Sequence, residues 1–493
     1  MSSHTPRALL ILVLLCAVVL SACGPATPSE SGSAGPATGP AITVLERAYT
    51  LDELRALEQV TTTVDDRTAT GVSLLALLTD AAESLPETVV LVASDGYSAN
   101  VDTAEVDAAG VLGITDENKL DALIPTVAKA AWVRDVIEIR SLEPAAPSAD
   151  APQGIDPIAL DEPLVLTDAA GRTVTLEALP GRLAVVGTGP HMSLHILYMF
   201  DEGRERLIAT ESRASTASEF LPMVDPVFES VPTLAAHPNV EQIASMSPDL
   251  VIMKGITEDA TAVGLAEAGI PVLYVDLETM DAFFQDLANI GAVLGNPERA
   301  EEIAAFYRSR LEGIDAALAE ISERPDVLLL SYSVRGTEVA VKVPAAAWMQ
   351  TAEIERAGGN PVWLAAAAPT DGWTVTNFEQ IARWDPEMIF VVIDHTLDMQ
   401  GVIDSLKADA NWAALKAVQS DALYAFPQDI FGWDQPEPRW ILGVQWLATR
   451  LHPEAFADLD MEAEARAWFS ELYGMDAATY EADVLPRLQM DVD

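Results

Sequence analysis

His191 and His195 stand four residues apart, just after the loop Gly187-Thr188-Gly189-Pro190. On a helix that spacing puts both imidazoles on one face, the arrangement by which zinc sites use a histidine pair. The glutamate of an HExxH pattern is absent and the sequence offers no third ligand, so a bare-metal centre is not expected. His191 stands as a ligand-binding candidate and His195 as a packed or capping residue. Two isolated cations are the next groups able to do chemistry. Lys254 follows the apolar run "LVIM" and Arg335 follows "VLLLSY", in a chain with 28 Lys+Arg against 76 Asp+Glu. There each either neutralises an anionic chelate or oxyanion, or is an ordinary solvated surface charge. Aromatic candidates come from two places. Trp373 lies in the turn-rich "PTDGWT", and Trp433 and Asp434 lie in "FGWDQPEPRWILGVQW". The latter splits at Pro438, a helix opener, beyond which Trp440, Val444, Leu447 and Leu451 share one stripe and read as core.

Thiol chemistry is excluded by the count. Cys16 and Cys23 are the two cysteines, and Cys16 lies inside "ALLILVLLCAVVL", a run of signal-peptide length preceded by Arg7. The tetrapeptide Leu20-Ser21-Ala22-Cys23 resembles the lipobox of bacterial lipoproteins, which implies that Cys23 is lipidated and becomes the mature N-terminus. The alternative is an ordinary secretory signal. With Cys23 acylated, no free thiol remains for a disulfide, a thiolate metal site or a nucleophile. Residues 24–41 form a Gly/Pro/Ser tether, and the expected location is the membrane surface, facing the periplasm or the exterior. The acidic balance argues against nucleic acid, since a polyanion would be repelled where it needs neutralisation.

These residues need elements to position them. At 493 residues and half hydrophobic, the chain is long enough for more than one core. Residues 42–143 read as a small α+β domain, with helices over "TLDELRALE" and "GVSLLALLTDAAE" and strands over "TVVLVAS" and "VRDVIEIRS". A Pro/Ala linker at 144–155 precedes a larger region, 156–493. That region opens with a hairpin around Ala170 and Gly171 and a strand ending at Gly187. The Gly-Thr-Gly loop lacks dinucleotide spacing and a P-loop lysine, so no nucleotide cofactor is expected.

An internal repeat organises the rest. "NVEQIASMSPDLVIM" begins at Asn239 and "NFEQIARWDPEMIFV" at Asn377, each reading as an Asn-capped helical turn, a break at proline and a buried strand. Two copies imply two similar α/β lobes, about 180–290 and 325–475. Between them Pro297–Ser322 carries Ile303, Tyr307, Leu311, Ile314, Leu318 and Ile321 on one stripe, a connecting helix of roughly 35 to 40 Å. Ligands of open α/β sheets sit beyond the carboxyl ends of the strands. That rule selects the loops holding Gly189 and His191, Lys254 and Gly255, Ser333 and Arg335, and Asp394 and His395.

Two lobes joined by one long helix, with "TDAAGRTVTL", the doubled N-x-E-Q-I-A-x-x-x-P-[DE] and "PRWILGVQWLATRLHPEAF", resemble the substrate-binding proteins of iron-siderophore, haem and cobalamin ABC importers. The resemblance covers about 160–475. It implies a non-enzymatic receptor, expected as a monomer without cofactor, that carries a small metal chelate to a permease and its ATPase. A bare metal ion or an oxyanion such as molybdate is the alternative cargo. The resemblance also implies that Glu241 and Glu379 dock on permease arginines, besides complementing their helix dipoles. In cobalamin-binding relatives a tryptophan stands six residues before each glutamate. Trp373 fits, but Ala235 does not, and Phe431 and Gln435 replace an acid and an arginine used by cobalamin binders.

Residues 42–143, through "TGVSLLALL", "VVLVASDGYSANV" and "AAWVRDVIEI", resemble part of the molybdopterin-binding domain of the sulfite-oxidase family. The essential molybdenum-binding cysteine of that family is missing, which implies a non-catalytic relative in which Asp95, Gly96 and Tyr97 form a structural turn. A redox-associated lipoprotein is the remaining alternative.

Overall fold

The computed structural model describes residues 41–491, apart from short breaks at 46, 65–66, 83, 87, 95–97, 116–117, 128–131, 142–150, 212–216, 235–236, 256–259, 336–337, 370–371 and 395–396. Cys23 and its tether lie outside the described residues, as do Asp95, Gly96, Tyr97, Ala235 and His395.

The N-terminal domain has its own core and two sheets. In the first, the central strand Val136–Ser141 pairs in parallel with Ile42–Val44 and antiparallel with Thr88–Ala93. Helix Leu51–Ala56 starts at Thr50, whose hydroxyl and the Glu53 carboxyl form a reciprocal capping box. The second is a four-stranded antiparallel sheet whose first two strands are Gln59–Val64 and Arg67–Ser73.

In the larger region, a hairpin of Ile158–Thr167 and Thr173–Leu179 turns at Asp168–Arg172. The Asp168 carboxylate accepts from the Arg172 backbone and guanidinium, and Gly171 supplies the left-handed turn residue (φ 73°). The first lobe is an all-parallel sheet. Its strands are β1 (Leu183–Gly187), β2 (Leu207–Glu211), β3 (Thr233–Leu234), β4 (Leu250–Lys254) and β5 (Val272–Val275), in the order β3-β2-β1-β4-β5. β1 is flanked on both sides and buried almost throughout, hence its apolar sequence LAVVG. Helix α1 (Pro190–Leu197) follows β1, and α2 (Val240–Ser245) precedes β4.

Helix α3 (Pro297–Leu318) leads to the second lobe, where β6 (Asp326–Arg335), β7 (Glu338–Val343), β8 (Thr374–Thr376), β9 (Met388–Ile393) and β10 (Leu423–Ala425) are ordered β8-β7-β6-β9-β10. Here β6, β9 and β10 pair in parallel while β7 is antiparallel to both its neighbours, β6 and β8, so the second sheet is mixed. The helices of this region that bear on the site are α4 (Met349–Arg356), α5 (Phe378–Trp384), α6 (Trp440–Leu451) and α7 (Met461–Tyr473).

The repeat holds atom by atom. Asn239 and Asn377 each cap their helix through a side-chain bond to the backbone N–H three residues on, both 2.9 Å. Ser247 and Asp385, at matching positions before the prolines, both take positive φ, 52° and 42°. The matched acids do one job: Asp249 accepts from the backbone of Gly181, ahead of β1, and Glu387 from that of Asp326, at the start of β6. Each copy therefore builds a helix, a reversal and a strand, and clamps that strand to its parallel neighbour.

At 1.5 Å per residue the 22-residue α3 spans about 33 Å. Ile303, Tyr307, Leu311 and Ile314 are buried, in a single core that takes in residues of both lobes. Tyr307 shows how it is fixed: its ring lies 4.8 Å from Phe283 and 5.1 Å from Trp440, and its hydroxyl donates to the Pro438 carbonyl at 2.6 Å. The helix stops four residues short of the expected Ser322, with Ile321 only half-buried in the turn that follows.

Candidate functional site

The carboxyl end of β1 sets the site. Gly187 leaves the strand with φ 97° and Gly189 enters α1 with φ 60°, so the chain turns into the helix within three residues. Pro190 occupies the first helical position, where its missing N–H costs nothing. The first turn of α1 then presents His191, whose ring meets the half-buried Phe431 edge-on at 4.8 Å. The first lobe and the loop before α6 thus share one wall.

Beneath that wall lies a buried ionic cluster. Nδ1 of His195 lies 2.8 Å from Oε2 of Glu437, both side chains being fully buried. Glu437 also accepts from Nη1 of Arg439 at 2.9 Å and from the Arg439 backbone at 2.8 Å. Nε of Arg439 is shared between the two oxygens of Asp429, at 2.9 and 3.0 Å. Asp429 further accepts from the backbones of Ile430 and Phe431 and from Nε1 of Trp433 at 2.9 Å. The guanidinium stacks on Phe220 at 4.4 Å and Trp468 at 4.9 Å, replacing hydration with ring faces. Asp429 and Arg439 therefore hold the loop that offers Phe431 to His191.

Two more acids are buried beside this cluster. Burial pushes Asp434 up to about 7, with hydrogen bonds from its own backbone and Gln435 pulling the other way and Glu437 adding to the rise. Burial likewise raises Glu353 on α4 well above the usual carboxylate range, with Asp434 and Glu437 reinforcing it. Among the described residues neither Glu353 oxygen meets a hydrogen-bond partner, so nothing offsets the cost that burial puts on its charged form. An acid whose folded pKa is raised contributes stability that is complete below its unfolded value and is lost as pH rises through the folded value. For Asp434 the window runs from about 4 to about 7. Urea unfolding should therefore show stability falling across that window, and Asp434→Asn should flatten the slope. An unchanged slope would mean that Asp434 is ionised in the folded protein.

The expected site residues fall into three groups. His191 is brought to the interlobe wall, and Trp373 is half-buried with its ring edge-on to Trp348 at 5.9 Å. Lys254 and Arg335 do end β4 and β6, but Lys254 is nearly buried and ion-paired with Glu278, so its charge is already met. Arg335 is in backbone register with Glu338 at the end of the β6–β7 pair. The third group requires correction. Trp433 is fully buried and tied to Asp429, and is a core residue, not a platform lining the cleft. Asp434 is 2 % exposed and bonded to Gln435, so it acts from beneath the wall. His195 packs, as expected, and Trp440 is core. Glu241 and Glu379 are both exposed in the first turns of α2 and α5. Sequence reading missed Asp429, Glu437, Arg439 and Glu353. Its one available signal was the crowding of acids and an arginine among aromatics between 429 and 440.

Residues 222–430 match the family model described as periplasmic binding protein. The molybdate-binding protein MolA of Haemophilus influenzae is 21% identical over 332 residues, covering 63% of this chain and 90% of that protein. A cobalamin-binding protein of Halobacterium salinarum is 25% identical over 251 residues, 50% of this chain and 62% of its own length. Among solved structures, a periplasmic solute-binding protein of Veillonella parvula superposes with a TM-score of 0.52 at 20% identity, over 66% of this chain and 97% of its own. MolA bound to molybdate gives 0.51 at 19%, over 63% and 98%. The structural likenesses bear on the fold, which is that of the two-lobed binding proteins. The likeness to periplasmic binding proteins thus takes in residues 222–430, which run from the first lobe through α3 into the second.

Proposed function

We propose that the chain is the lipid-anchored receptor of an ABC importer, capturing an iron complex of siderophore or haem type, or a related metal-containing solute, and delivering it to the permease and its ATPase. The observation that carries the reading is the pair of exposed glutamates, Glu241 and Glu379, at the same position of a duplicated helix start in two lobes that share one core. Receptors of this kind need matched contacts on both lobes, and a rigid connector keeps their spacing fixed. The Leu20–Cys23 tetrapeptide supports the anchor. His191, Phe431 and Trp373 supply the faces against which a cargo would pack.

A second reading, an oxyanion of the molybdate type, is favoured by the relative named for molybdate, matched over 90% of its length. Lys254 favours it less, since its charge is already paired.

Native mass spectrometry with elemental analysis of gently purified protein separates the two. Iron with the mass of an organic chelate supports the first reading, and molybdenum at one per chain supports the second. A protein free of both metals that shows no heat of binding with ferric chelates or molybdate would overturn the assignment.

A further inference from the structure

Glu211 closes β2 at the carboxyl edge of the first-lobe sheet and is 5 % exposed. Its two oxygens reach in different directions. Oε2 accepts from the backbone N–H of Gly187 at 2.7 Å, at the loop that leads to His191. Oε1 accepts from the backbone N–H of His237 at 2.8 Å, two residues before the Asn239 cap of α2. Both bonded residues hold positive φ, 97° at Gly187 and 56° at His237. For a histidine that conformation costs free energy and persists only where surrounding contacts impose it. A single buried carboxylate thus spans the turn that carries the cleft wall and the turn that carries Glu241.

We infer that Glu211 is a positioning residue that couples the Gly187–His191 turn to the start of α2, so that a displacement on the cleft side reaches the helix bearing Glu241. This rests on the receptor reading for its meaning, but the coupling itself is a property of the unliganded chain. Charge-assisted bonds to backbone N–H groups are among the stronger hydrogen bonds, and a rigid carboxylate lets neither turn shift without the other. Glutamine keeps the shape and can serve one of the two donors, while its NH2 faces the other N–H and cannot accept from it.

The test is a double-variant cycle read by amide hydrogen exchange on the full chain without ligand. Gly187→Ala strains the cleft-side turn through its positive φ, although an added Cβ meets no atom closer than 3.6 Å. The result expected is faster exchange, by about tenfold, in residues 237–245 as well as 187–191. In Glu211→Gln both segments exchange faster, and adding Gly187→Ala then leaves 237–245 unchanged, because the link is already cut. His237→Val supplies the reverse arm, since a β-branched residue is strained further at φ 56°: it speeds exchange at 187–191 when Glu211 is present and not in the Glu211→Gln background. Additive effects in both arms would overturn the coupling, as would Gly187→Ala leaving 237–245 untouched. A merely structural Glu211 would raise exchange across the whole first-lobe sheet, β4 and β5 included, with no such non-additivity. No cargo enters the measurement, so a failed ligand assignment and a failed coupling give separate results.

Discussion

Arg439→Met lowers the stability of the two-lobed domain by about 3–5 kcal/mol, read as a shift of the urea midpoint at constant slope. Arg439 is fully buried and is the cation shared by Asp429 and Glu437, whose side chains are themselves fully buried. Methionine would fill much of the volume against Phe220 and Trp468 but would leave two carboxylates without their counter-charge. The cost is that of stranded ions, not of a lost attraction. Arg439→Lys should recover little, because an ammonium cannot reach Asp429 and Glu437 at once while stacking on a ring. The triple change Arg439→Met, Asp429→Asn, Glu437→Gln should recover most of the loss, since it removes the stranded charges along with the cation. A loss below about 1 kcal/mol for Arg439→Met would mean that the cluster is worth no more than an exposed ion pair.

What the sequence made legible follows from how far apart the interacting residues lie. The repeat was readable because each copy is local: an asparagine cap, a proline two or three residues after the helix and an apolar strand fall within fifteen positions. The connecting helix was readable from its stripe, but its end was not. Leu318 and Ile321 continue the period, yet the chain turns after Leu318, and Pro325 then biases what precedes it toward extended backbone. In the N-terminal domain the hairpin Gln59–Val64 with Arg67–Ser73 escaped notice. Its exposed face is threonine paired with threonine, Thr61 on Thr70 and Thr63 on Thr68, not alternating apolar residues.

The wall of the site was the least legible part. His195 and Glu437 are 242 residues apart, so nothing in either neighbourhood announces the bond. A polar loop with two prolines reads as surface, whereas Asp429, Asp434, Glu437 and Arg439 are all buried. Trp433 looked like a ligand platform for the same reason, because nothing in the sequence marks Asp429 as the buried partner of its indole. Glu211 repeats the lesson in the first lobe: a lone acid ending an apolar strand carries no mark of the two turns it holds.

Charge reversal at both Glu241 and Glu379, to lysine, is expected to cut transport of the cargo by about 100-fold or more while its affinity in solution and the unfolding midpoint stay where they were. Both side chains are exposed and each stands on the first turn of a capped helix outside the buried cluster, so neither the core nor the wall at His191 and Phe431 depends on them. Lysine in a first turn opposes the helix dipole, which costs a few tenths of a kcal/mol to about 1 kcal/mol per site and sets the scale of any change in stability. Docking responds much more strongly. On the docking role proposed for them, like charges placed against permease arginines would cost several kcal/mol, and each 1.4 kcal/mol is a factor of ten. The single reversals separate the lobes: if α3 holds the two contacts at a fixed spacing, either one alone should remove most of the transport, because the other cannot move to compensate. A flexible connector would instead leave each single variant largely active. Loss of solution affinity in the double variant would place these glutamates at the ligand and remove the docking role.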